Sequence, residues 1–343
     1  MAQVPTAGER AAMSRAFALA VRGPEHGPNP RVGAVLLAPD GTVLGEGWHD
    51  GAGTPHAEVR AIAAARAAGH DLRGATAVVT LEPCAHTGRT GPCTLALLEA
   101  GVTRVVHSVT DPDPQAAGGA AVLEAAGVEV VGGLLSEEGE SVLGAWLPAV
   151  RSGRPLVTLK LAATLDGRVA AADGTSRWIT SAEAREHAHR FRATVDAIAV
   201  GTGTVLADDP ALTARAGGVA ASHQPLRVVV GHRTVPANAR LRGPGGQLLT
   251  LATHDPHEVL ETLAARQVRH LLVEGGPVLA AAFLAAGLVD RIHAYLAPVL
   301  LGAGRAAVGD LGITTLADAA RWHTVTVERV GPDVLVIARR QEV

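Results

Sequence analysis

Glu82-Pro-Cys84-Ala-His86-Thr-Gly-Arg89-Thr-Gly-Pro-Cys93 carries both cysteines of the chain, with eight residues between them. An apolar run over 76–81, read as a strand, leads into it. Upstream, Pro55-His56-Ala-Glu58 opens a segment of helical periodicity over 55–68 that ends at Gly69. Thr54 is placed to cap that helix and Pro55 suits its first position, with His56 next. Pro92-Cys93 opens a second helix, over 92–100, in the same way. One imidazole and two sulfurs therefore come from two helix starts and the end of a strand.

Outward from this stretch, elements alternate. A helix is expected over 11–21, and the β-rich runs 31–37 and 41–48, joined by Pro39-Asp-Gly41, read as a hairpin. Strand 104–109, helix 119–126, strand 128–131 and one helix over 136–150 follow. That alternation predicts an α/β domain with a largely parallel sheet. Arg151-Ser-Gly-Arg-Pro155 is a short polar hinge, so two domains are expected, 1–150 and 151–343. The second restarts with strand 156–162 and a helix over 181–192, with Thr180-Ser-Ala-Glu183 as a capping box. Strands 196–200, 226–230, 247–251 and 270–273 follow, with helices 256–266 and 277–286 among them. The chain closes with strands 291–296, 324–330 and 334–339, the last two a hairpin around Gly331-Pro-Asp333, giving an antiparallel edge.

A length of 343 residues suits two domains. Aromatic residues are only 2% of the chain, which argues against the stacking platforms that hold single-stranded nucleic acid. A net charge of −3 without blocks of like charge leaves no large basic footprint, so no nucleic-acid partner is expected. Apolar stretches are broken well short of a membrane span, and the N-terminus is a poor signal peptide. A cytoplasmic location follows as the expectation. Two cysteines without an export signal favour metal binding or catalysis over a disulfide framework.

His56, Cys84 and Cys93 offer three ligands and leave a fourth position for water, the mark of a catalytic rather than a structural zinc site. Helix N-termini also favour the thiolate form. Glu58, two residues after His56, reaches a zinc-activated water without being a ligand and can pass its proton to a departing amine. His-x-Glu followed by Pro-Cys is the signature of zinc deaminases, although their generic pattern has two residues between the cysteines.

The longer gap resembles that of the bifunctional riboflavin-biosynthesis deaminase/reductase family, the RibD/RibG type. Pro28-Asn-Pro-Arg-Val-Gly33, Gly47-Trp-His49 and Asp111-Pro-Asp-Pro114 look like the same family's motifs in the same order. The resemblance implies a cytidine-deaminase-like three-layer domain, zinc on His56, Cys84 and Cys93, and Glu58 as proton shuttle. It also implies a pocket for the pyrimidine and phosphoribosyl groups from Asn29, His49, His86, Arg89, Asp111 and Asp113. Two departures stand out: Asp113 occupies the family's usual Asn position, and Ala117-Gly-Gly-Ala120 lacks the usual base.

In the second half, Gly201-Thr-Gly-Thr204 follows one strand and Glu274-Gly-Gly276 joins another to a helix, turns suited to approach by a phosphate. The full dinucleotide fingerprint Gly-x-Gly-x-x-Gly is absent. Lys160-Leu-Ala-Ala-Thr-Leu-Asp-Gly167, Ser176-Arg-Trp-Ile-Thr180, the stretch from Gly203 to Thr213 and Ala297-Pro-Val-Leu-Leu-Gly302 resemble the family's reductase domain, which is similar to dihydrofolate reductase. That implies NADPH near Ala162, Trp178, Thr204, Asp208, His232, Gly276, Pro277, Val278, Leu279, Ala280, Ala281 and Ala282. It implies the phosphosugar near Lys160, Asp166, Ser176, Arg192, Leu212, Arg215 and Glu274. Arg192 and Arg215 read as phosphate clamps, and Gly231-His232 stands where the family typically has Asp-Ser. The implied function is hydrolytic deamination of 2,5-diamino-6-ribosylamino-4(3H)-pyrimidinone 5′-phosphate. NADPH-dependent reduction of 5-amino-6-(5-phosphoribosylamino)uracil then follows, in a homo-oligomer. Two rivals remain at this point: a nucleic-acid deaminase with a binding module, and a chain with one inactive half serving as an oligomerisation scaffold.

Overall fold

Thr6 starts the first helix, α1 (Ala7–Ala20), through a reciprocal box: Glu9 N donates to Thr6 Oγ1 at 3.1 Å and Thr6 N to Glu9 Oε2 at 2.7 Å. The computed structural model describes residues 4–86 and 91–341 and divides into two units, Met1–Gly153 and Arg154–Val343.

In the first unit α1 is followed by β1 (Gly33–Leu37), β2 (Val43–Trp48), α2 (Ala57–Ala67), β3 (Thr76–Leu81), α3 (Cys93–Glu99) and β4 (Arg104–Val109). Then come α4 (Gly119–Ala125), β5 (Glu129–Val131), α5 (Ser136–Leu143) and α6 (Trp146–Ser152). The sheet order is β2-β1-β3-β4-β5, antiparallel at β2-β1-β3 and parallel from β3 to β5. Side chains alternate along β1: Val35 and Leu37 join the α1 core with Met13, Ala16 and Leu19, while Ala34 and Leu36 join Ala57, Ala61 and Ile62 of α2. The sheet is therefore covered on both faces. Close approach of α2 depends on two glycines of β2: a Cβ on Gly45 would lie 2.4 Å from Ala61 O, and one on Gly47 2.3 Å from Ala57 O. This seats the start of α2 against the sheet.

Two local expectations are corrected. The helix expected over 136–150 is two helices, because Gly144 takes φ +60° and ends α5. His56 is the N-cap residue of α2 with extended backbone, not a residue inside the helix, and no side chain caps that end.

The second unit runs β6 (Leu156–Thr164), β7 (Arg168–Ala170), α7 (Ala182–Arg192), β8 (Ala197–Gly201), α8 (Thr202–Asp208), β9 (Arg215–Ala216) and β10 (Val219–Ala220). It continues with β11 (Leu226–Val230), β12 (Leu248–Leu251), α9 (Pro256–Ala265), β13 (His270–Val273), α10 (Pro277–Ala285), β14 (Arg291–Ala297), β15 (Arg305–Ala306), β16 (Trp322–Val330) and β17 (Asp333–Arg340). Eight strands form one sheet in the order β12-β11-β8-β13-β6-β14-β17-β16, parallel from β12 to β14 and antiparallel beyond. Phe283, Leu263 and Leu271 anchor the core on one face, and Ile198, Val229 and Leu241 on the other. The cap of α7 is Ser181, whose side chain accepts from Ala184 N at 3.2 Å, rather than Thr180. The Gly201-to-Thr204 segment is not an open loop but winds into α8.

Candidate functional site

His56, Cys84 and Cys93 converge in the first unit. His56 Nδ1 lies 3.2 Å from Cys93 Sγ and 3.6 Å from Cys84 Sγ, and the three ligand atoms all lie within 4.8 Å of one another. Tetrahedral zinc with Zn–S of ~2.3 Å and Zn–N of ~2.0 Å needs ligand separations of about 3.5 Å. The electrostatics agree with that fit. A hydrogen bond from the Cys93 thiol, and then one with His56, pulls Cys84 down to about 4. The Cys93 thiol is pushed up by its hydrogen bond with Cys84, then by burial and by Glu58. The two sulfurs are thus pushed in opposite directions by one another, and a bound cation would favour the thiolate form of both.

Glu58 is 4% exposed, and burial raises its carboxyl pKa above the ordinary range despite the His56 charge. Its side chain also hydrogen-bonds with that of Cys93. Placement in the first turn of α2 brings it to the same point as the three ligands. His49 is buried, with Nδ1 3.2 Å from Pro55 O and Nε2 3.0 Å from Asn29 Nδ2. A carbonyl only accepts, so Nδ1 carries the hydrogen and Nε2 accepts from the Asn29 amide. Burial lowers the His49 pKa, in keeping with this neutral form. Trp146 Nε1 donates to Pro28 O at 3.1 Å and holds the Asn29 turn.

Asp111 is buried and Asp113 N donates to its Oδ1 at 2.9 Å. Glu82 had no role in the sequence reading, yet it is 5% exposed and takes both Asp111 N, at 3.2 Å, and Ala120 N, at 2.9 Å. Its position two residues before Cys84 was the available signal; its partners lie 29 and 38 residues away. His86 is exposed, and Arg89 lies outside the described residues.

Two predictions arise here. A Cβ on Gly119 would sit 1.7 Å from Pro83 O, next to Cys84. Gly119→Ala is therefore expected to cost about 1–3 kcal/mol of stability and to speed zinc loss to a chelator, followed by metal analysis. Burial, foremost, raises Asp111 to about 6. An acid raised on folding contributes stability that is full below its unfolded pKa and lost as pH rises through about 6. Asp111→Asn should accordingly melt higher than the parent at pH values above that range, with the difference closing in acid.

In the second unit, Glu274, 4% exposed at its side chain, receives Arg192 Nε at 2.7 Å, Arg192 Nη2 at 2.8 Å and Lys160 Nζ at 3.0 Å. Burial would raise its pKa, but Arg192 and Lys160 outweigh burial and hold the carboxylate well below the usual range. Arg192 also donates to Thr213 O at 3.1 Å, beside buried Leu212, and Arg215 Nε donates to Thr213 Oγ1 at 3.1 Å. The guanidinium read as a phosphate clamp is thus already engaged inside the chain. Asp166 stands apart, accepting from Thr164 Oγ1 at 2.6 Å and Gly302 N at 2.7 Å. Thr204 Oγ1 accepts from Gly276 N at 3.0 Å, joining the two Gly-rich segments. Ala162 pairs with Tyr295 across β6 and β14; Trp178 is exposed under Arg185; Asp208 ends α8, its carbonyl accepting from Arg177. Ser176 is half-buried in the loop before α7, and Val278 is exposed at the start of α10. Ala280 is fully buried in the core, and its N–H donates to Gly276 O at 3.1 Å.

Residues 7–109 match the cytidine and deoxycytidylate deaminase zinc-binding region, and residues 155–336 match the RibD C-terminal domain. With the His/Cys/Cys cluster, these define a zinc deaminase with an oxidoreductase domain, cytidine-deaminase-like and dihydrofolate-reductase-like in fold. The riboflavin biosynthesis protein RibD of Mycobacterium tuberculosis is 51% identical over 311 residues, covering 90% of each chain; that of Escherichia coli is 42% identical, covering 94% of this chain and 96% of its own. A solved diaminohydroxyphosphoribosylaminopyrimidine deaminase/5-amino-6-(5-phosphoribosylamino)uracil reductase from Thermotoga maritima superposes with TM-score 0.87 at 34% identity over 97% of this chain and 99% of that one. Acinetobacter baumannii RibD gives 0.88 at 36% over 98% and 99%. The chain belongs to the RibD family of bifunctional riboflavin-biosynthesis enzymes, whose halves use zinc and NADPH.

Proposed function

We propose that residues 1–150 deaminate 2,5-diamino-6-ribosylamino-4(3H)-pyrimidinone 5′-phosphate and that residues 151–343 then reduce the ribosyl group of the product to ribityl. The observation that carries the first step is the meeting of Glu58 with His56, Cys84 and Cys93. Zinc there supplies a Lewis acid that makes a water acidic near neutral pH. Glu58 accepts that water's proton and returns it to the leaving amine, a task suited to a carboxyl whose pKa burial has raised. Asn29, its amide oriented by His49, faces the pyrimidine, with Asp111, Asp113 and His86 on the same substrate side; Arg89, outside the described residues, is assigned to the substrate phosphate by its place in the motif alone.

For the second step NADPH, held by the cofactor-side residues named below, would supply the hydride that reduces the open-chain C1′. Glu274 is held ionised and Asp166 is lowered by its bond with Thr164, so neither has a proton to give. Lys160, 3.0 Å from Glu274, is the donor to the attached nitrogen, with Glu274 fixing its position. Ser176, Arg192, Leu212 and Arg215 shape the sugar side, and Ala162, Trp178, Thr204, Asp208 and the turn from Gly276 to Ala282, apart from buried Ala280, the cofactor side.

The chain acts in the cytoplasm as a homo-oligomer; no helix among the described residues is long and apolar enough to cross a membrane. Self-association is supported by β16, a nine-residue edge strand with Val325 and Val327 exposed. The test is to give the zinc-loaded chain the diamino substrate, follow ammonia, and add NADPH afterwards. Ammonia release followed by NADPH oxidation is expected. Absence of ammonia from zinc-replete protein would reject the deaminase step, and absence of oxidation the reductase step.

A further inference from the structure

His189 had no role in the sequence reading, yet the fold carries it to the sugar side of the second unit. It lies one turn before Arg192 on α7 and is half-buried. Its Nδ1 is 2.9 Å from Thr213 O and 3.4 Å from Arg192 Nη1. A carbonyl only accepts, so Nδ1 carries the ring hydrogen and the neutral ring keeps a lone pair on Nε2. Burial, and then the Arg192 charge, pull the His189 pKa down, which favours that form. Nε2 bonds to no described residue, and it is not one of the sealed interior atoms that lack a partner, so it opens to solvent.

The groups around it are donors, or acceptors already engaged. Arg192, Arg215 and Lys160 are cations with N–H groups and no lone pair. The Glu274 oxygens already face Arg192 Nε, Arg192 Nη2 and Lys160 Nζ. The Thr213 carbonyl is taken by His189 and Arg192, and Thr213 Oγ1 accepts from Arg215 Nε. A phosphorylated sugar brings two kinds of group to such a cluster. Its phosphate accepts, and suits the arginines. Its hydroxyls must also donate, and a hydroxyl hydrogen that finds no acceptor forfeits the bond it had with water. We propose that His189 Nε2 is that acceptor, taking a hydroxyl of the open-chain ribosyl group, so that the site prefers a polyhydroxy chain over a bare phosphate ester. This rests on the reductase reading given above and adds the residue that reads the sugar's hydroxyls.

The test titrates ribose 5-phosphate and ethyl phosphate, an ester with no hydroxyl chain, into the full chain by calorimetry, a readout that needs no turnover. One neutral hydrogen bond implies that His189→Phe binds ribose 5-phosphate roughly 2–10-fold more weakly than the parent, while its affinity for ethyl phosphate holds. His189→Gln, which like the neutral ring has one donor end and one acceptor end, should recover most of the loss. KM for the phosphoribosylamino substrate should rise in the Phe variant by a similar factor, ahead of any change in kcat or in KM for NADPH. A measurement on the parent chain covers the case in which the Phe variant does not fold. The Nε2 resonance of His189 in the nitrogen-15 spectrum, assigned by its loss in His189→Gln, should shift with ribose 5-phosphate and not with ethyl phosphate. A Phe variant that binds ribose 5-phosphate as the parent does would overturn the contact. So would one that loses both ligands alike, or an Nε2 that both ligands move equally, since His189 would then serve only to hold Thr213 and the arginines. If ribose 5-phosphate binding depends on His189 but the parent oxidises no NADPH, the reductase reading fails and the sugar contact stands.

Discussion

Glu58→Gln is expected to lower the rate of ammonia release by about 10²–10⁴-fold while the protein keeps its zinc. The amide preserves the shape of a side chain that is 4% exposed but can neither take nor return a proton. His56, Cys84 and Cys93 are untouched, so the three-ligand set survives. The measurement is ammonia release at saturating substrate alongside metal content. A variant within a few-fold of the parent would remove Glu58 from the proton-transfer role, and one that lost zinc would show that Glu58 supports the metal instead.

Glu274→Gln carries the second large effect. It leaves the Lys160 ammonium and the Arg192 guanidinium facing a neutral group, with side chains only 19% and 15% exposed. Breaking a buried pair in this way costs about 3–5 kcal/mol, or roughly 10 °C in the melting of a domain of this size. Calorimetry of the full chain should show the loss in the transition of the second unit. NADPH oxidation should fall as well, since Lys160 loses the anion that positions it. The pH dependence has a definite sign: the folded pKa of Glu274 is depressed, so its stabilisation is present above the ordinary carboxylate range and is lost only as pH falls far below it.

The metal cluster was legible because its ligands are recognisable residue types in the His-x-Glu and Pro-Cys motifs, although His56 lies 28 and 37 residues from the cysteines it meets. Strand order, register and the Glu274 network were not. Arg192 and Glu274 are 82 residues apart in sequence, and only the packing of α7 beside β13 brings the guanidinium onto the carboxylate. The family resemblance placed Arg192 at the phosphosugar as a phosphate clamp and carried no sign of its pairing with Glu274. The break at Gly144 was missed because a helical apolar pattern continues on both sides of it, while φ +60° is a backbone property that the pattern does not encode. Glu82 escaped for a related reason: its partners are backbone N–H groups, and those have no residue type to recognise.

One chain performs two reactions in a fixed order. That order is tested most directly by recording ammonia release and NADPH oxidation together after mixing the parent chain with the diamino substrate and NADPH. Ammonia should lead, NADPH oxidation should follow after a lag, and the lag should vanish when the deaminated pyrimidine is supplied instead. NADPH oxidation that leads ammonia release, or proceeds without it, would contradict the order and with it the assignment of the two halves.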